Sequence, residues 1–211
     1  MTGVIFDLDG TLLDTLEDLK DAVNHALRQF GYPERTLGEV RRFVGNGAAL
    51  LIQRAVPKGA DPEPVLAAFR AFYDSHCRVK TKPYEGIADA LAKLGEKYPL
   101  AVVSNKPDSA VKALCADYFP GIYARGESTD CPRKPAPDMV QKAMAAIGVE
   151  RCIYVGDSEV DIATARNAGV PCLTVLWGFR DRDELQAAVA EYFCEHPAQL
   201  VRALDDLTAS T

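Results

Sequence analysis

Short runs of apolar residues, each followed by a polar or glycine-containing segment, recur along the chain. These runs lie at residues 3–6, 100–103, 122–124, 152–155 and 172–175. Short, unbroken apolar runs are typical of parallel strands that are buried on both faces of a sheet. The hydrophobic pattern therefore predicts buried, parallel β-strands at these five places.

Amphipathic stretches lie between the later runs. They cover residues 108–117, 138–147 and 161–168, and each begins with an aspartate that suits the first turn of a helix. Strands that alternate with helices in this way predict an α/β fold, with a doubly wound, Rossmann-like parallel sheet.

The alternation is interrupted between the first strand and the second. About 80 residues there show helical patterns, at residues 16–30, 37–43, 48–55 and 64–77. A block of this length exceeds a single crossover connection, so it predicts an α-helical cap inserted after the first strand. The expected domains are an α/β core of residues 1–14 and 83–211 and a helical cap of residues 15–82.

Two further segments carry local predictions. Thr15, before the first helix, and Asp18, three residues later, resemble a capping box. The tail of the chain, residues 180–211, predicts one or two closing helices.

Composition and charge exclude several classes of partner. The 211 residues carry a net charge of −6, which argues against nucleic-acid binding because a phosphate backbone is bound by an excess of Lys and Arg. No apolar run approaches the roughly 18 residues of a membrane span, so no membrane partner is expected. The first residues lack the features of a secretory signal, which indicates a cytoplasmic protein. The six scattered cysteines are expected to be free thiols.

Polar segments follow several of the predicted strands. In open α/β sheets, ligands lie outside the carboxyl ends of the strands, so these segments are the candidate site. The segments are Asp7-Leu8-Asp9-Gly10-Thr11-Leu12, Ser104-Asn105-Lys106 and Gly156-Asp157-Ser158-Glu159-Val160-Asp161. Lys134 lies on the loop after the strand at 122–124.

Asp7, Asp9 and Asp157 would place three carboxylates at one point. Their mutual repulsion makes sense if a hard cation lies among them. Mg²⁺ fits best, because it takes oxygen ligands, keeps some waters and commonly bridges to a substrate phosphate. The sequence therefore predicts Mg²⁺ as the cofactor.

The neighbouring polar residues suit a phosphoryl group. Ser104, Asn105 and Lys134 supply a hydroxyl, an amide and a positive charge, the mixture needed while charge spreads over phosphoryl oxygens. Lys106 stays open between a solvated side chain and a phosphate contact.

These segments resemble the motifs of the haloacid dehalogenase-type (HAD) phosphohydrolase superfamily, and the chain is similar to its phosphoglycolate phosphatase branch. The motif D-x-D-G-T-L stands at residues 7–12, and the Ser or Thr at a strand end is Ser104. The Lys before Pro is Lys134, and G-D-S-x-x-D stands at residues 156–161. The four motifs follow in the family's order and cover nearly all of the chain.

The resemblance implies a role for each acidic residue. Asp7 would be the nucleophile that forms an aspartyl phosphate, while Asp9 would protonate the leaving oxygen and then deprotonate the attacking water. Mg²⁺ would be held by Asp7, by the backbone carbonyl of Asp9 and by Asp157. Asp161 is a further candidate, either near the metal-bound waters or as the partner that orients Lys134.

The resemblance also implies substrate contacts. Ser104 and Asn105 would hold phosphate oxygens, and Thr11 is a further candidate for contacts around the ligand. In the cap, residues 43–48 resemble the V-G-x-G turn of phosphoglycolate phosphatase relatives. Arg54, close to this turn, would either meet an anionic group of the substrate or form a structural ion pair.

The implied function is a magnesium-dependent phosphatase for a small phosphorylated metabolite, with 2-phosphoglycolate as the first candidate. A β-phosphoglucomutase-like sugar-phosphate mutase and a nucleotide or pyrophosphate phosphatase share the same core. A dehalogenase would not need Asp9, and a non-catalytic phosphate sensor would not need Asp7 or Asp9. A monomer and a homodimer are both compatible with the sequence.

Overall fold

A computed structural model describes residues 1–210 and divides the chain into two compact units. One unit is Met1–Leu13 together with the chain from Pro83 onward, and the other is Asp14–Lys82. No helix within residues 1–210 is long and apolar enough to cross a membrane. The cysteines are free thiols, and all but Cys172 are buried.

The elements follow one another in this order along the chain. The strands are β1 (Thr2–Phe6), β2 (Leu13–Asp14), β3 (Lys82–Pro83), β4 (Leu100–Pro107), β5 (Tyr123–Glu127), β6 (Arg151–Gly156), β7 (Cys172–Val175) and β8 (Tyr192–Cys194). The helices are α1 (Leu16–Gln29), α2 (Leu37–Phe43), α3 (Ala48–Ala55), α4 (Pro62–His76), α5 (Ile87–Gly95), α6 (Asp108–Tyr118), α7 (Asp138–Ala146), α8 (Glu159–Ala168), α9 (Arg182–Ala187) and α10 (Leu200–Ser210). A short 3-10 helix, Pro197–Gln199, precedes α10.

Six strands form one parallel sheet in the order β5-β4-β1-β6-β7-β8. The predicted α/β class is confirmed, and a strand lies at each of the five predicted places. Strand β4 runs four residues beyond its predicted end at Val103, with an irregular register against β5 between Val103 and Pro107. The tail prediction was wrong in one respect, because β8 lies between its helices. This strand has only three residues, Tyr192-Phe193-Cys194, and so short an apolar run does not by itself distinguish a strand from other structure.

The strands contribute side chains to both faces of the sheet. On β1, Val4 and Phe6 belong to one buried core, whereas Ile5 belongs to the other. Helices α5, α6 and α10 pack on the first face, and α7 and α8 pack on the second. Each fully buried Val, Leu or Phe contributes about 1.5–3 kcal/mol, which is why these runs consist mainly of apolar residues.

The unit Asp14–Lys82 contains α1 to α4. The predicted capping box at Thr15 is wrong, because the Thr15 side chain makes no capping hydrogen bond. Asp18 instead accepts hydrogen bonds from the backbone N–H groups of Lys80 and Thr81, at 2.8–3.0 Å. The carboxylate therefore ties the end of this unit to its beginning, a long-range contact that local sequence spacing does not reveal.

Candidate active site

Asp7 lies at the carboxyl end of β1, next to the end of β6. Its backbone N–H donates to the carbonyl of Val155 at 2.8 Å, which continues the pairing of the two strands by one residue. The chain then turns tightly, because the N–H groups of Leu12 and Leu13 both donate to the carbonyl of Leu8. Gly10 allows this turn with a φ of +84°, and a side chain there would overlap the carboxylate of Asp157.

Lys134 is the central cation of the site and is buried. Its Nζ lies 2.8 Å from Asp7 Oδ1 and 2.8 Å from Asp161 Oδ1, and donates to the hydroxyl of Tyr154 at 3.0 Å. The structure therefore brings together the first, third and fourth sequence motifs. The peptide bond between Lys134 and Pro135 is cis.

Asp161 is surrounded by donors. In addition to Lys134, the Tyr154 hydroxyl donates to its Oδ1 at 3.0 Å, and the backbone N–H and hydroxyl of Ser158 donate to its Oδ2 at 3.1 Å and 2.6 Å. Asp161 thus completes the capping box of α8, which explains why the helix begins two residues before its predicted start. Four hydrogen bonds fix this carboxylate in the orientation that holds Lys134.

Asn105 fixes the backbone of Lys134. Its Oδ1 accepts from the Lys134 N–H at 2.7 Å, and its Nδ2 donates to the Lys134 carbonyl at 3.0 Å. The amide thereby fastens the loop after β5 to the end of β4. This positioning contact was not foreseen from the sequence, which offered Asn105 as a phosphate ligand.

Asp157 is buried at the end of β6 and accepts from two different segments. The Thr11 hydroxyl donates to its Oδ1 at 3.1 Å, and the backbone N–H of Phe179 donates to its Oδ2 at 2.7 Å. Thr11, which was predicted only to make contacts around the ligand, therefore forms a direct hydrogen bond with Asp157.

Asp9 lies apart from the other carboxylates. Its Oδ1 is 3.0 Å from the Nζ of Lys106, and its Oδ2 accepts from the Ser104 hydroxyl at 3.5 Å. The side chain of Lys106 is only 4% exposed, so the interpretation of it as a solvated lysine is wrong. Lys106 and Ser104 place Asp9 beside the end of β4.

Burial and mutual repulsion shape the charges of the cluster. Burial raises the pKa of Asp7 well above its ordinary value, and Asp161 raises it further, against the opposing effect of Lys134. Burial, again with Asp161, raises the pKa of Asp157 to about 7. Burial lowers the pKa of Lys134, but Asp161 and Asp7 outweigh it, so this pKa is raised and the side chain stays cationic.

A divalent cation fits this surplus of negative charge. Carboxylate oxygens of Asp7, Asp157 and Asp161 lie within 4.8 Å of one another, and all three side chains are buried. Asp7 Oδ1 meets Lys134 but accepts no hydrogen bond of good geometry. A hard cation such as Mg²⁺ prefers oxygen ligands, and here it would balance the negative charge that Lys134 and the hydrogen bonds leave uncompensated.

Arg54 belongs to the helical unit. Its Nη1 donates to the carbonyl of Phe43 at 2.8 Å, across the turn that carries Gly45 and Gly47. The predicted contact of Arg54 with a substrate stays a prediction.

Sequence reasoning missed two parts of the site. Tyr154 lies inside an apolar strand and was counted as core, although its hydroxyl contacts both Lys134 and Asp161. The segment after β7 was also missed, although the rule that ligands lie beyond strand ends applies to β7 as well. Its sequence, Leu176-Trp177-Gly178-Phe179-Arg180, carries two aromatic residues, a glycine and a cation at that place.

The fold and the site together define a doubly wound α/β protein with a buried acidic cluster at the carboxyl edge of its parallel sheet. The family model of haloacid dehalogenase-like hydrolases matches residues 4–175, so the chain belongs to this family.

Proteins similar to the chain narrow this class. A phosphoglycolate phosphatase of Mesorhizobium japonicum is 33% identical, with 97% of this chain and 92% of that protein covered. A phosphoglycolate phosphatase of Aquifex aeolicus is 31% identical, with 98% of both chains covered. A crystal structure from Lactobacillus delbrueckii subsp. bulgaricus, of a provisionally assigned phosphoglycolate phosphatase, is 36% identical with a TM-score of 0.91, covering 96% of this chain and 98% of that one. The chain is a phosphoric monoester hydrolase similar to these phosphatases.

Proposed function

We propose that this protein is a Mg²⁺-dependent phosphatase that hydrolyses 2-phosphoglycolate, or a closely related small phosphate monoester, through an aspartyl phosphate on Asp7. The observation that carries the proposal is the contact of Lys134 Nζ with both Asp7 and Asp161, at 2.8 Å each, beside the buried carboxylate of Asp157. Together these side chains supply a nucleophile, a cation for the phosphoryl oxygens and oxygen ligands for a hard metal ion within one site. The names of the curated relatives support 2-phosphoglycolate as the substrate.

In the first step a carboxylate oxygen of Asp7 attacks phosphorus, and the bond from phosphorus to the ester oxygen breaks. Asp9 gives its proton to that oxygen, so the alcohol leaves neutral. In the second step Asp9 takes a proton from water, whose oxygen attacks phosphorus and releases inorganic phosphate and free Asp7. Lys134 offsets the negative charge of the phosphoryl oxygens in both steps.

A divalent cation would be held by the carboxylates of Asp7 and Asp157 and by the backbone carbonyl of Asp9. When bound, it would supply positive charge to the phosphoryl oxygens. Asp161, with its four donors, acts through Lys134 in this account.

Phosphate release from a panel of phosphorylated metabolites tests the proposal. The panel contains 2-phosphoglycolate, a sugar phosphate, a nucleotide and pyrophosphate, each with Mg²⁺ and then with EDTA. We expect a preference for 2-phosphoglycolate, and a loss of more than about 100-fold in EDTA. Release that persists in EDTA would contradict the metal requirement, and turnover of the nucleotide or pyrophosphate alone would contradict the substrate. Isomerisation of the sugar phosphate without release would indicate a mutase.

Replacing Asp9 by Asn tests its role as acid. We expect Asp9→Asn to slow phosphate release from an alkyl ester such as 2-phosphoglycolate by about 10³-fold, since general acid catalysis contributes roughly 10²–10⁴-fold. An aryl phosphate needs little protonation of its leaving group and should be slowed less when the first step is measured in single turnovers. The exposed Asp89→Asn variant serves as control. Equal slowing of both esters would rule out the acid role.

A further inference from the structure

Four residues after β7 surround Asp157 and its neighbours. They are Trp177, Gly178, Phe179 and Arg180, here called the 177–180 segment. The family match ends at residue 175, so the segment lies beyond the part of the chain that the family model covers.

The middle of the segment contacts Asp157 directly. The backbone N–H of Phe179 donates to Asp157 Oδ2 at 2.7 Å. Gly178 is buried, and a side chain there would overlap the Cβ and Oδ2 of Asp157 as well as the carbonyl of Gly10. Gly178 does not have a positive φ. The requirement for glycine at this position is therefore steric rather than conformational.

The ends of the segment are fastened to the two loops that carry the acidic cluster. The indole Nε1 of Trp177 donates to the carbonyl of Thr11 at 2.9 Å, and the Thr11 hydroxyl in turn donates to Asp157. The Nε of Arg180 donates to Glu159 Oε2 at 2.8 Å, at the start of α8.

We propose that the 177–180 segment positions the carboxylate of Asp157 for the divalent cation, and that the absence of a side chain at Gly178 sets the affinity of the metal site. Hydrogen bonds from outside the ligand set fix the orientation of metal-binding side chains, and losing them commonly weakens metal binding by about 10–100-fold. This inference rests on the metal-dependent function proposed above.

Titration of the metal-free protein with Mg²⁺ tests the inference. Trp177 is the one tryptophan in the chain, so its fluorescence reports on the segment itself. We expect Gly178→Ala to raise the Mg²⁺ dissociation constant by about 10–100-fold. Gly95→Ala is the matched control and should leave this constant unchanged. Gly95 also lacks a positive φ, and a side chain there would meet only Leu100 Cδ1, at 3.9 Å.

Three outcomes would overturn the inference. A folded Gly178→Ala protein that binds Mg²⁺ as the wild type does would show that Gly178 only packs. A Gly178→Ala protein whose melting temperature falls equally in EDTA and in Mg²⁺, while its Mg²⁺ dissociation constant is unchanged, would also show that Gly178 only packs. If Gly178→Ala does not fold, Trp177→Phe is titrated by calorimetry instead. This change removes the bond to Thr11 and keeps an aromatic ring at the position, and unchanged affinity would overturn the inference.

The same titration separates this inference from the proposed function. A wild-type protein that neither binds Mg²⁺ nor needs it for turnover would overturn both. A wild-type protein that binds Mg²⁺ and hydrolyses phosphate esters, beside a Gly178→Ala protein of equal affinity, would overturn only the positioning role.

Discussion

Replacing Asp7 by Asn is expected to abolish phosphate release, with a loss on the order of 10⁴-fold or more, because the amide cannot attack phosphorus. The fold should survive, because burial raises the pKa of Asp7, which means that its charge is less favourable in the folded protein than in the unfolded chain, and Asn keeps the shape without that charge. Phosphate release in single turnovers and melting temperature in EDTA measure the two effects.

The sign of the stability effect follows from linkage. A carboxyl whose pKa is raised on folding costs stability above that pKa, and the cost disappears as the pH falls below the value of the unfolded chain. A neutral Asn removes the cost at neutral pH, so the metal-free Asp7→Asn protein should melt at or above the wild-type temperature. Residual turnover near the wild-type level would contradict the assignment of Asp7 as nucleophile.

Replacing Lys134 by Met is expected to have the largest effect on stability. The change leaves the buried carboxylates of Asp7 and Asp161 without the ammonium that lies 2.8 Å from each. Removing one partner of a buried ion pair costs about 3–5 kcal/mol, so the free energy of unfolding in urea should fall by this amount. Turnover should also be lost, since Lys134 is the side-chain cation that offsets the charge of the phosphoryl oxygens in the proposed mechanism.

The deficit of Lys134→Met should depend on pH. Without the ammonium, the pKa of Asp7 rises further, so protonation relieves the repulsion as the pH falls. The loss of stability should therefore be smaller at pH 5 than at pH 8. Lys112→Met, which removes an exposed ammonium paired with the partly buried Asp108 on α6, should cost less than about 1 kcal/mol. Similar losses in the two variants would contradict the account of the buried pair.

Much of the sheet could be predicted because its strands are buried on both faces. Runs such as residues 3–6 and 152–155 are apolar throughout, and an amphipathic helix does not give this pattern. The edge strand β8, Tyr192–Cys194, could not be found because it is short and partly exposed. That residues 15–82 act as a cap for the core remains a prediction.

The positions of the site residues were predictable for a topological reason. Parallel strands bring their carboxyl ends to one edge, so Asp7, Asp157 and Lys134 had to lie near one another once the strands were assigned. The partners of these residues were not predictable. Tyr154 donates to Asp161 from within a strand, and Asn105 binds the backbone of Lys134, and neither pairing leaves a periodic signal in the sequence.

The roles of Asp9 and Arg54 stay predictions. The Asp9 carboxylate faces Lys106 and does not belong to the acidic cluster of Asp7, Asp157 and Asp161. Arg54 is held by the carbonyl of Phe43 within the helical unit.

The most direct test of the central claim is to identify the residue that carries phosphate during turnover. The wild-type protein is mixed with 2-phosphoglycolate and Mg²⁺, quenched in acid within one turnover, digested and analysed by mass spectrometry. The account predicts a phosphorylated peptide that contains Asp7 and is absent from Asp7→Asn. Phosphate on another residue, or turnover without any phosphorylated peptide, would contradict it.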